Sequence, residues 1–407
     1  MVFFISVAIF SSIILLLVGM LLFVQAQVVQ KGGRQIIINA NNEKPLIAPT
    51  GQPLLSALSD NGIFIPSACG GGGSCGMCKC RIDEGAKGYA PTELIHIKRK
   101  EKKANIHLAC QFKVKEDLKI QLPPEILDVK KYNATVVSNA NVATFIKELV
   151  LETDPQDELT FKAGAYIQID VPEYELSFTE FRIRIAERFR PEWDRFDLWG
   201  VRAALEEPIF RAYSLANPPS EKNRLRFTIR IATPPPDAIE APPGKGSSFI
   251  FNLKPGDTVT LSGPYGDFFV KDSQREMCFI GGGAGMAPLR SQIRDQLETQ
   301  NTSRKISFWY GARSVRELFF YDEFKALEKK HANFDYHVAL SAPLPDENWK
   351  GPTCYIHHCL KENYLDCHED PTEIEYYLCG PPMMIDSVAA MLDDLGVEPE
   401  MIAYDKF

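Results

Sequence analysis

The longest uninterrupted apolar pattern in this 407-residue sequence lies near its N-terminus. Val2 to Val24 contains no charged residue, and a helix of this length extends roughly 30–35 Å, enough to cross a bilayer. A cleaved signal peptide needs a basic n-region and a shorter apolar core, and a buried core helix rarely runs this long without a charge. The pattern therefore predicts a transmembrane helix within residues 1–26.

Shorter apolar patterns divide the rest of the chain into three regions. In the first, Ile36–Ile38 predicts a strand, and the spacing of three leucines predicts a helix capped by Thr50: Leu54, Leu55 and Leu58. The second region predicts mainly strands, at Ala134–Val137, Tyr166–Ile169, Arg226–Ile231 and Thr258–Leu261. The third alternates buried strands with helices, as in a parallel α/β sheet, with strands at Cys278–Ile280, Ile306–Tyr310 and Glu375–Leu378.

These regions predict a multidomain chain with boundaries at 34–123, 130–274 and 275–407. A Pro-Pro pair within residues 121–131 marks the linker between the first two. Within the second region, residues 172–208 form an insert rich in aromatic and charged side chains. Its four arginines between Arg182 and Arg190 suggest an anionic ligand, but the balancing acids favour a solvated or partner-facing surface.

Charge and cysteine usage limit the functional classes. The net charge of −8 argues against nucleic acid as a partner, because proteins that bind nucleic-acid phosphates usually carry an excess of positive charge. The first cations after the apolar run are Lys31 and Arg34, so the positive-inside rule predicts that the downstream domains are cytoplasmic. Ten cysteines, of which four have metal-ligand spacing and the rest are scattered, fit a reducing compartment.

Four cysteines are candidate metal ligands: Cys69, Cys75, Cys78 and Cys110. A two-iron cluster needs four thiolates, and a glycine-rich loop lets backbone N–H groups approach its sulfides. The alternative is a structural zinc site, although zinc sites usually come as two paired dicysteine knuckles. Cys80 is predicted to pack in the core. The Cys-x5-Cys-x2-Cys loop resembles that of [2Fe–2S] ferredoxins, which implies an α+β domain of β-grasp fold.

The stretch 210–216 and the helix start that follows it are candidates for binding FAD. Arg211 can hold a pyrophosphate with two parallel hydrogen bonds, Tyr213 can stack on the flavin ring, and the hydroxyl of Ser214 can reach the flavin N5 region. A helix start with free N–H groups favours a phosphate, and Gly246, Ser247 and Ser248 lie at such a start. A plain helix cap fits either serine alone nearly as well.

A glycine-rich turn after the strand at Cys278–Ile280 is the candidate NADH site. Its residues are Gly281, Gly282, Gly283, Gly285 and Pro288. The glycines let the backbone approach a pyrophosphate at the start of a helix. A second turn, Cys379-Gly380, follows a later strand of the same region.

The order of these motifs resembles the ferredoxin–NADP reductase superfamily. The resemblance implies an antiparallel β-barrel FAD domain, followed by an α/β parallel-sheet NADH domain in which Cys379 and Gly380 face the nicotinamide. It also implies hydride transfer from NADH to flavin N5 and places Tyr213, Ser214, Cys379 and Phe407 at the reacting centre, with Phe407 covering one flavin face. Hydride transfer itself needs no general base, and none is nominated.

The choice between NADH and NADPH depends on the end of the second strand. Arg313 and Arg316 would suit the 2′-phosphate of NADPH, whereas Glu317, in an acidic-aromatic string, resembles the NADH-using reductases. We expect NADH. A metal site from Cys354, His357, His358, Cys359, Cys367 and His368 is not expected, because the stretch begins an ordinary amphipathic helix.

The whole chain resembles the F subunits of bacterial sodium-translocating NADH:quinone oxidoreductases. The resemblance implies an inner-membrane anchor, cytoplasmic catalytic domains, electron delivery to flavins in partner membrane subunits, and quinone reduction coupled to sodium export elsewhere in the complex. Two alternatives remain open. One is an NADH-dependent reductase component of a multicomponent oxygenase, and the other is a non-catalytic, membrane-tethered redox sensor.

Overall fold

The structure is a computed structural model that describes residues 4, 10–20, 32–41, 44–127, 129–156, 159–238 and 240–406. The chain divides into two compact units, one containing residues 1–67 and 71–128 and the other residues 68–70 and 129–407. The change of unit at residue 128 lies inside the Pro-Pro region. The stretches predicted as FAD and NADH domains belong to the same compact unit.

Residues 10–20 are helical, and their large apolar side chains are exposed. Much of the transmembrane helix predicted within residues 1–26 lies outside the described residues. Within the ranges described, no helix combines the length and the apolar character needed to cross a membrane.

The first unit is built on one mixed five-stranded sheet. Its strands are β1 (Gly33–Ile38), β2 (Leu46–Pro49), β3 (Lys79–Glu84), β4 (Ile106–Leu108) and β5 (Leu118–Gln121). They lie in the order β2-β1-β5-β3-β4, and β1 pairs in parallel with β5 while the other pairs are antiparallel. Its helices are α1 (Leu54–Asp60), α2 (Pro91–Leu94), α3 (Arg99–Lys103) and α4 (Pro124–Leu127). The unit is therefore α+β, as predicted.

Helix α1 forms where the leucine spacing predicts it, with Leu54, Leu55 and Leu58 buried. The predicted Thr50 cap is wrong. Thr50 Oγ1 donates to the Gly32 carbonyl oxygen at 2.8 Å, and Pro53 occupies the N-cap position without a side-chain hydrogen bond. The backbone turns at Gly51, whose N–H donates to Val114, so Thr50 lies one turn too early to reach the helix.

The second unit begins with a six-stranded antiparallel sheet. Its strands are β6 (Lys130–Ala143), β7 (Ile146–Thr153), β8 (Tyr166–Val171), β11 (Ile209–Ser214), β12 (Arg224–Arg230) and β13 (Thr258–Tyr265). Their order is β11-β8-β13-β6-β7-β12. Just after β11, the Ala216 N–H donates to the Arg226 carbonyl oxygen at 2.7 Å. The two edge strands thus meet, as a barrel requires. All four predicted strands of this region are confirmed.

The insert at 172–208 forms a small aromatic layer against this sheet. It contains the hairpin β9 (Tyr174–Ser177) and β10 (Arg202–Leu205), helix α5 (Arg190–Arg195) and 3-10 turns at Phe178–Arg184, Glu187–Phe189 and Leu198–Gly200. Trp193, Phe178 and Phe181 are fully buried and pack with Phe251 of helix α6 (Lys245–Asn252). The insert is thus anchored by aromatic rings, with its arginines at the periphery.

The last region is a parallel five-stranded sheet with helices on both faces. Its strands are β14 (Met277–Gly282), β15 (Ile306–Ala312), β16 (Phe334–Leu340), β17 (Glu375–Gly380) and β18 (Ile402–Lys406). Its helices are α7 (Met286–Arg294), α8 (Tyr321–Lys330), α9 (Ile356–Asn363) and α10 (Pro382–Asp394). Alternate residues of β14 enter the two cores, since Phe279 packs with α7 and α8 and Ile280 with α9 and α10. The predicted parallel sheet is confirmed.

The remaining helical segments of this region are short. A π-helical turn, Asp295–Thr299, continues α7. The 3-10 turns lie at Gly283–Gly285, Val315–Glu317, Pro345–Glu347, Leu365–Cys367, Pro371–Glu373 and Pro399–Met401.

Candidate functional site

Three of the four predicted iron ligands lie close together in the first unit. The thiols of Cys78 and Cys110 are hydrogen bonded, and this contact, burial and the neighbouring Cys75 raise the pKa of Cys78. Gln111 Nε2 donates to Cys110 Sγ at 3.5 Å, a contact that also suits a thiolate. Thiols are the donor groups that a [2Fe–2S] cluster takes. Within the described ranges, no three His, Cys, Asp or Glu side chains are arranged to hold a metal ion, and the full ligand set with Cys69 stays a prediction.

Backbone contacts fix the segment that carries Cys110. The Leu55 N–H, at the start of α1, donates to the Ala109 carbonyl oxygen at 2.9 Å, and the Ala109 N–H donates to Cys78 O at 2.8 Å. The distant cysteine is thereby held against the strand that begins beside Cys78. Cys80, two residues further along β3, is buried as predicted, and burial raises its pKa to about 12.

A buried carboxylate that sequence reasoning missed holds the same region together. Glu93 is 2% exposed and accepts hydrogen bonds from the Leu108 and Ala90 N–H groups at 3.0 and 2.8 Å. His107 Nδ1 lies 3.1 Å from its Oε1 atom. Burial alone would raise the pKa of Glu93, but these hydrogen bonds hold it below its usual value.

The structure brings the predicted FAD residues Arg211, Tyr213 and Gly246 into contact. A Cβ atom on Gly246 would lie 2.7 Å from both Arg211 Cγ and Tyr213 Oη, closer than real side chains approach. The end of β11 and the start of α6 thus form one cradle, made by Arg211, Tyr213 and Gly246. Only glycine fits at position 246. Burial raises the pKa of the Tyr213 phenol, so this ring stays neutral and can stack on a flat apolar system.

The two serines at the start of α6 differ in whether their hydroxyl groups are hydrogen bonded within the protein. Ser247 Oγ donates to Gly244 O at 3.2 Å and accepts from the Ala232 N–H at 3.1 Å, so its hydroxyl is engaged within the protein. Ser248 Oγ is buried and has no hydrogen-bond partner within the described chain, although the Tyr174 phenol lies near it. An orphaned buried hydroxyl beside the Arg211 cradle is a polar group that a bound phosphate would satisfy. The residues present therefore fit FAD.

The predicted NADH loop is packed tightly against the Cys379-Gly380 turn. A Cβ atom on Gly285 would lie 2.1 Å from the Cys379 carbonyl oxygen and 2.6 Å from the Gly380 nitrogen. The two turns that end β14 and β17 therefore meet at the carboxyl edge of the parallel sheet, where dinucleotides bind. Pro288 is buried in the first turns of α7. Thr228 Oγ1 of the barrel donates to the Ala284 carbonyl oxygen at 3.1 Å and fixes the loop from the other side.

Ser214 and Cys379, both predicted at the reacting centre, both lie beside Asp405, a residue that the sequence analysis did not identify. Ser214 Oγ donates to Asp405 Oδ2 at 3.3 Å, and Asp405 pairs with Cys379 in the register of β17 and β18. Burial raises the pKa of Asp405 to about 6, with Ser214 opposing the shift and Asp267 adding to it. The Cys379 thiol is fully buried, and burial together with Asp405 raises its pKa. Phe407 lies outside the described residues.

Glu317, used above to favour NADH, is already engaged by the barrel. Its carboxylate accepts hydrogen bonds from the Thr144 N–H at 3.1 Å and from the Thr144 hydroxyl. Arg316 lies 3.9 Å from Glu192 of the insert, and Arg313 is exposed. These hydrogen bonds join Glu317, in the loop after β15, to the barrel residue Thr144.

Comparison with known protein families matches the three regions in turn. Residues 38–115 match the 2Fe-2S iron-sulfur cluster binding domain, residues 200–270 the oxidoreductase FAD-binding domain, and residues 279–390 the oxidoreductase NAD-binding domain. The protein therefore carries a [2Fe–2S] domain, an FAD domain and an NAD domain.

Curated relatives match along nearly the whole chain. The F subunit of the Na(+)-translocating NADH-quinone reductase of Neisseria meningitidis is 50% identical over 402 residues, covering 99% of this chain and 98% of the relative. The proteins of the same name from Klebsiella pneumoniae and Idiomarina loihiensis are 50% and 47% identical over 402 and 404 residues, with the same coverage.

Solved structures share the fold over a similar extent. A cytochrome P450 reductase from Amycolatopsis superimposes with a TM-score of 0.63 at 23% identity, covering 92% of this chain and 98% of that one. A ferredoxin reductase of carbazole 1,9a-dioxygenase gives a TM-score of 0.60 at 26% identity, covering 93% and 99%.

Proposed function

The chain belongs to the family of F subunits of Na(+)-translocating NADH-quinone reductases, and on this premise we propose that it is the electron-input component of such a complex. The chain oxidises NADH and delivers electrons to partner membrane subunits, where quinone reduction is coupled to sodium export. Bound FAD supplies a carrier that accepts electrons in pairs and releases them singly, and the [2Fe–2S] cluster supplies a one-electron outlet.

The observation that carries the proposal is the convergence of Ser214, Asp405 and Cys379. Ser214 comes from the barrel strand that holds the FAD candidates, whereas Cys379 and Asp405 come from the parallel sheet that holds the NADH candidates. The side chains of the two regions thus meet at one point of the second unit. This is the arrangement needed to bring a nicotinamide against a flavin ring.

The chain's own residues would act mainly by binding and orienting. Arg211, Ser248 and the N–H groups at the start of α6 would hold the FAD pyrophosphate, with Gly246 leaving room for the cradle and Ser247 bracing it. Tyr213 would stack on the flavin ring, Phe407 would cover its other face, and Ser214 would approach N5.

The glycine turns would hold NADH in register with that ring. Gly281, Gly282, Gly283 and Gly285 would line its pyrophosphate at the start of α7, with Pro288 in the first turn of that helix. Cys379 and Gly380 would lie against the nicotinamide. Thiolates of Cys69, Cys75, Cys78 and Cys110 would ligate the two irons.

The N-terminal apolar run is proposed as a single-pass anchor in the bacterial inner membrane, with the catalytic domains that follow it in the cytoplasm. The support is the absence of charge between Val2 and Val24 and the cations that follow it. Its partners would be the other membrane subunits of the complex.

A reductase component of an oxygenase is the second candidate, favoured by the match to the carbazole dioxygenase reductase over 93% of this chain. The two candidates differ in the electron acceptor. Full-chain protein that co-purifies with integral membrane subunits and reduces quinone with NADH supports the first, whereas transfer only to a soluble oxygenase supports the second.

The experiment that tests the proposal is an anaerobic NADH titration of the full-chain protein, followed by absorbance and electron paramagnetic resonance. We expect flavin bleaching and a reduced [2Fe–2S] signal. Cys75→Ala should lose the cluster signal while NADH still bleaches the flavin. Cys367→Ala, which changes an exposed thiol, is the control and should keep both. A purified protein with neither flavin nor iron would overturn the proposal.

A further inference from the structure

One surface of the first unit combines exposed apolar side chains with a run of cations. Leu94 and Ile95 are 44% and 80% exposed. The residues that follow contribute five exposed cations: Lys98, Arg99, Lys100, Lys102 and Lys103. We refer to residues 94–103 as the 94–103 surface.

This surface contacts the cysteine loop directly. His96 Nε2 lies 3.0 Å from the Gly73 carbonyl oxygen, inside the loop between Cys69 and Cys75. Immediately before the surface, Thr92 Oγ1 donates to Gln111 Oε1 at 2.9 Å, and Gln111 in turn donates to Cys110 Sγ. The 94–103 surface therefore borders the proposed iron–sulfur site.

The positive charge of this surface is largely uncompensated. Its one carboxylate, Glu101, is 2.8 Å from Lys79, a residue outside the surface. Among the residues that the structure describes, no carboxylate lies within 4.0 Å of the charged groups of Lys98, Arg99, Lys100 or Lys103. Residues 34–127 contain 13 Lys and Arg against nine Asp and Glu, while the whole chain has a net charge of −8. The region is thus a basic site on an acidic protein.

We propose that the 94–103 surface docks an acidic patch of the redox subunit that receives electrons from this chain, with Ile95 as the central apolar contact. The proposal rests on the proposed function. Apolar side chains with a charged rim are typical of a protein interface, and complementary charge mainly speeds association. An electron acceptor has to come close to the iron–sulfur site that this surface borders, and a lipid surface holds no acceptor, so the observations favour a protein partner.

A crosslinking experiment in the purified complex tests the contact directly. p-Benzoylphenylalanine replaces Ile95 in one variant, and in a matched control it replaces Ile183, which is 79% exposed on the insert. We expect light-dependent crosslinks from position 95 to an acidic segment of another subunit, and none to that segment from position 183. Crosslinks from position 95 only to lipid, only to this chain's own second unit, or to nothing would overturn the proposal.

A charge-reversal experiment tests the role of the cations. Arg99→Glu/Lys100→Glu is compared with Lys113→Glu/Lys115→Glu, a pair of exposed cations elsewhere in the same unit. In the complex, the first pair should lower NADH-dependent quinone reduction by roughly tenfold and weaken its salt dependence, and the second pair should not. NADH-dependent ferricyanide reduction should be unchanged in both.

Two results of this comparison would contradict the docking site: an equal loss in both pairs, or slower reduction of the cluster by NADH in the first pair. Ile95→Ala provides a second, uncharged variant, for which we expect several-fold slower quinone reduction. Failure of the wild-type chain to oxidise NADH would count against the proposed function instead.

Discussion

The Ser214 hydroxyl donates to Asp405 Oδ2 at 3.3 Å, although 191 positions separate the two residues in the chain. The contact joins a strand of the antiparallel barrel to the last strand of the parallel sheet. It also places an acidic group with a raised pKa beside Cys379, at the point where the FAD and NADH candidates meet. The proposed reacting centre thus contains an ionisable group although hydride transfer itself needs no general base.

Asp405 should make stability depend on pH. Burial raises its pKa from 3.8 to about 6, so the folded state binds this proton more tightly than the unfolded state. Its contribution to the free energy of unfolding therefore falls as the pH rises from about 4 through 6, by roughly 1–3 kcal/mol. Asp405→Asn should flatten the difference in Tm between pH 5 and pH 7.

The control for this variant is Asp386→Asn, which changes an exposed carboxylate paired with Lys406. It should leave the pH dependence of Tm as in the wild type. The NADH–ferricyanide rate gives a second measurement, in which a wild-type inflection near pH 6 should disappear in Asp405→Asn only. An unchanged Tm profile in Asp405→Asn would refute the assignment.

Gly246→Ala should weaken FAD binding. The added methyl group would meet Arg211 Cγ and Tyr213 Oη at 2.7 Å, and the strain of such overpacking is about 1–3 kcal/mol. We expect FAD affinity to fall roughly tenfold, measured as flavin retained after dialysis and by titration of the stripped protein.

Gly200→Ala is the matched control, because a Cβ atom at Gly200 meets nothing within 4 Å. It should retain flavin as the wild type does. Equal flavin content in the wild type, Gly246→Ala and Gly200→Ala would show that the cradle does not hold the cofactor.

Gly285→Ala should impair NADH use while leaving flavin content unchanged. Its methyl group would lie 2.1 Å from the Cys379 carbonyl oxygen, and backbone cannot move aside as a flexible side chain can. The loop must shift, so we expect the KM for NADH to rise at least roughly tenfold in the ferricyanide assay. Loss of flavin together with activity would instead indicate general misfolding of the second unit.

Lys147 should give the opposite pH dependence of stability. It is fully buried, and its Nζ donates to the Phe251 carbonyl oxygen at 3.0 Å. Burial, with Arg184 adding, lowers its pKa from 10.5 to about 7, so the folded state binds fewer protons between these values. Its contribution to stability therefore rises with pH from about 7 to 10.

Lys147→Met should remove this dependence and raise Tm more at pH 6.5 than at pH 9, as measured by calorimetry. Lys350→Met, at an exposed position, should leave the profile unchanged. A Lys147→Met protein that is less stable than the wild type at pH 6.5 would mean that the Phe251 hydrogen bond outweighs the burial of charge.

Local residue patterns in the sequence determine the short-range chemistry of this protein. Runs of alternating or continuous apolar residues predicted the strands, because side-chain burial has the period of the backbone that carries it. The glycine turns and the Cys-x5-Cys-x2-Cys loop likewise marked the cofactor candidates, since their chemistry needs particular residues at fixed local spacing. The Thr50 cap failed because the turn at Gly51 moved the helix start.

Tertiary structure decided which side chains remained available. Ser247 and Ser248 are equivalent in the sequence, yet only Ser248 is left without a hydrogen-bond partner in the described structure. Glu317 accepts a hydrogen bond from Thr144, 173 positions away, and Asp405 accepts one from Ser214. Contacts between residues so far apart in the chain depend on how strands pair and sheets pack. The local spacing of residues along the chain does not determine these contacts.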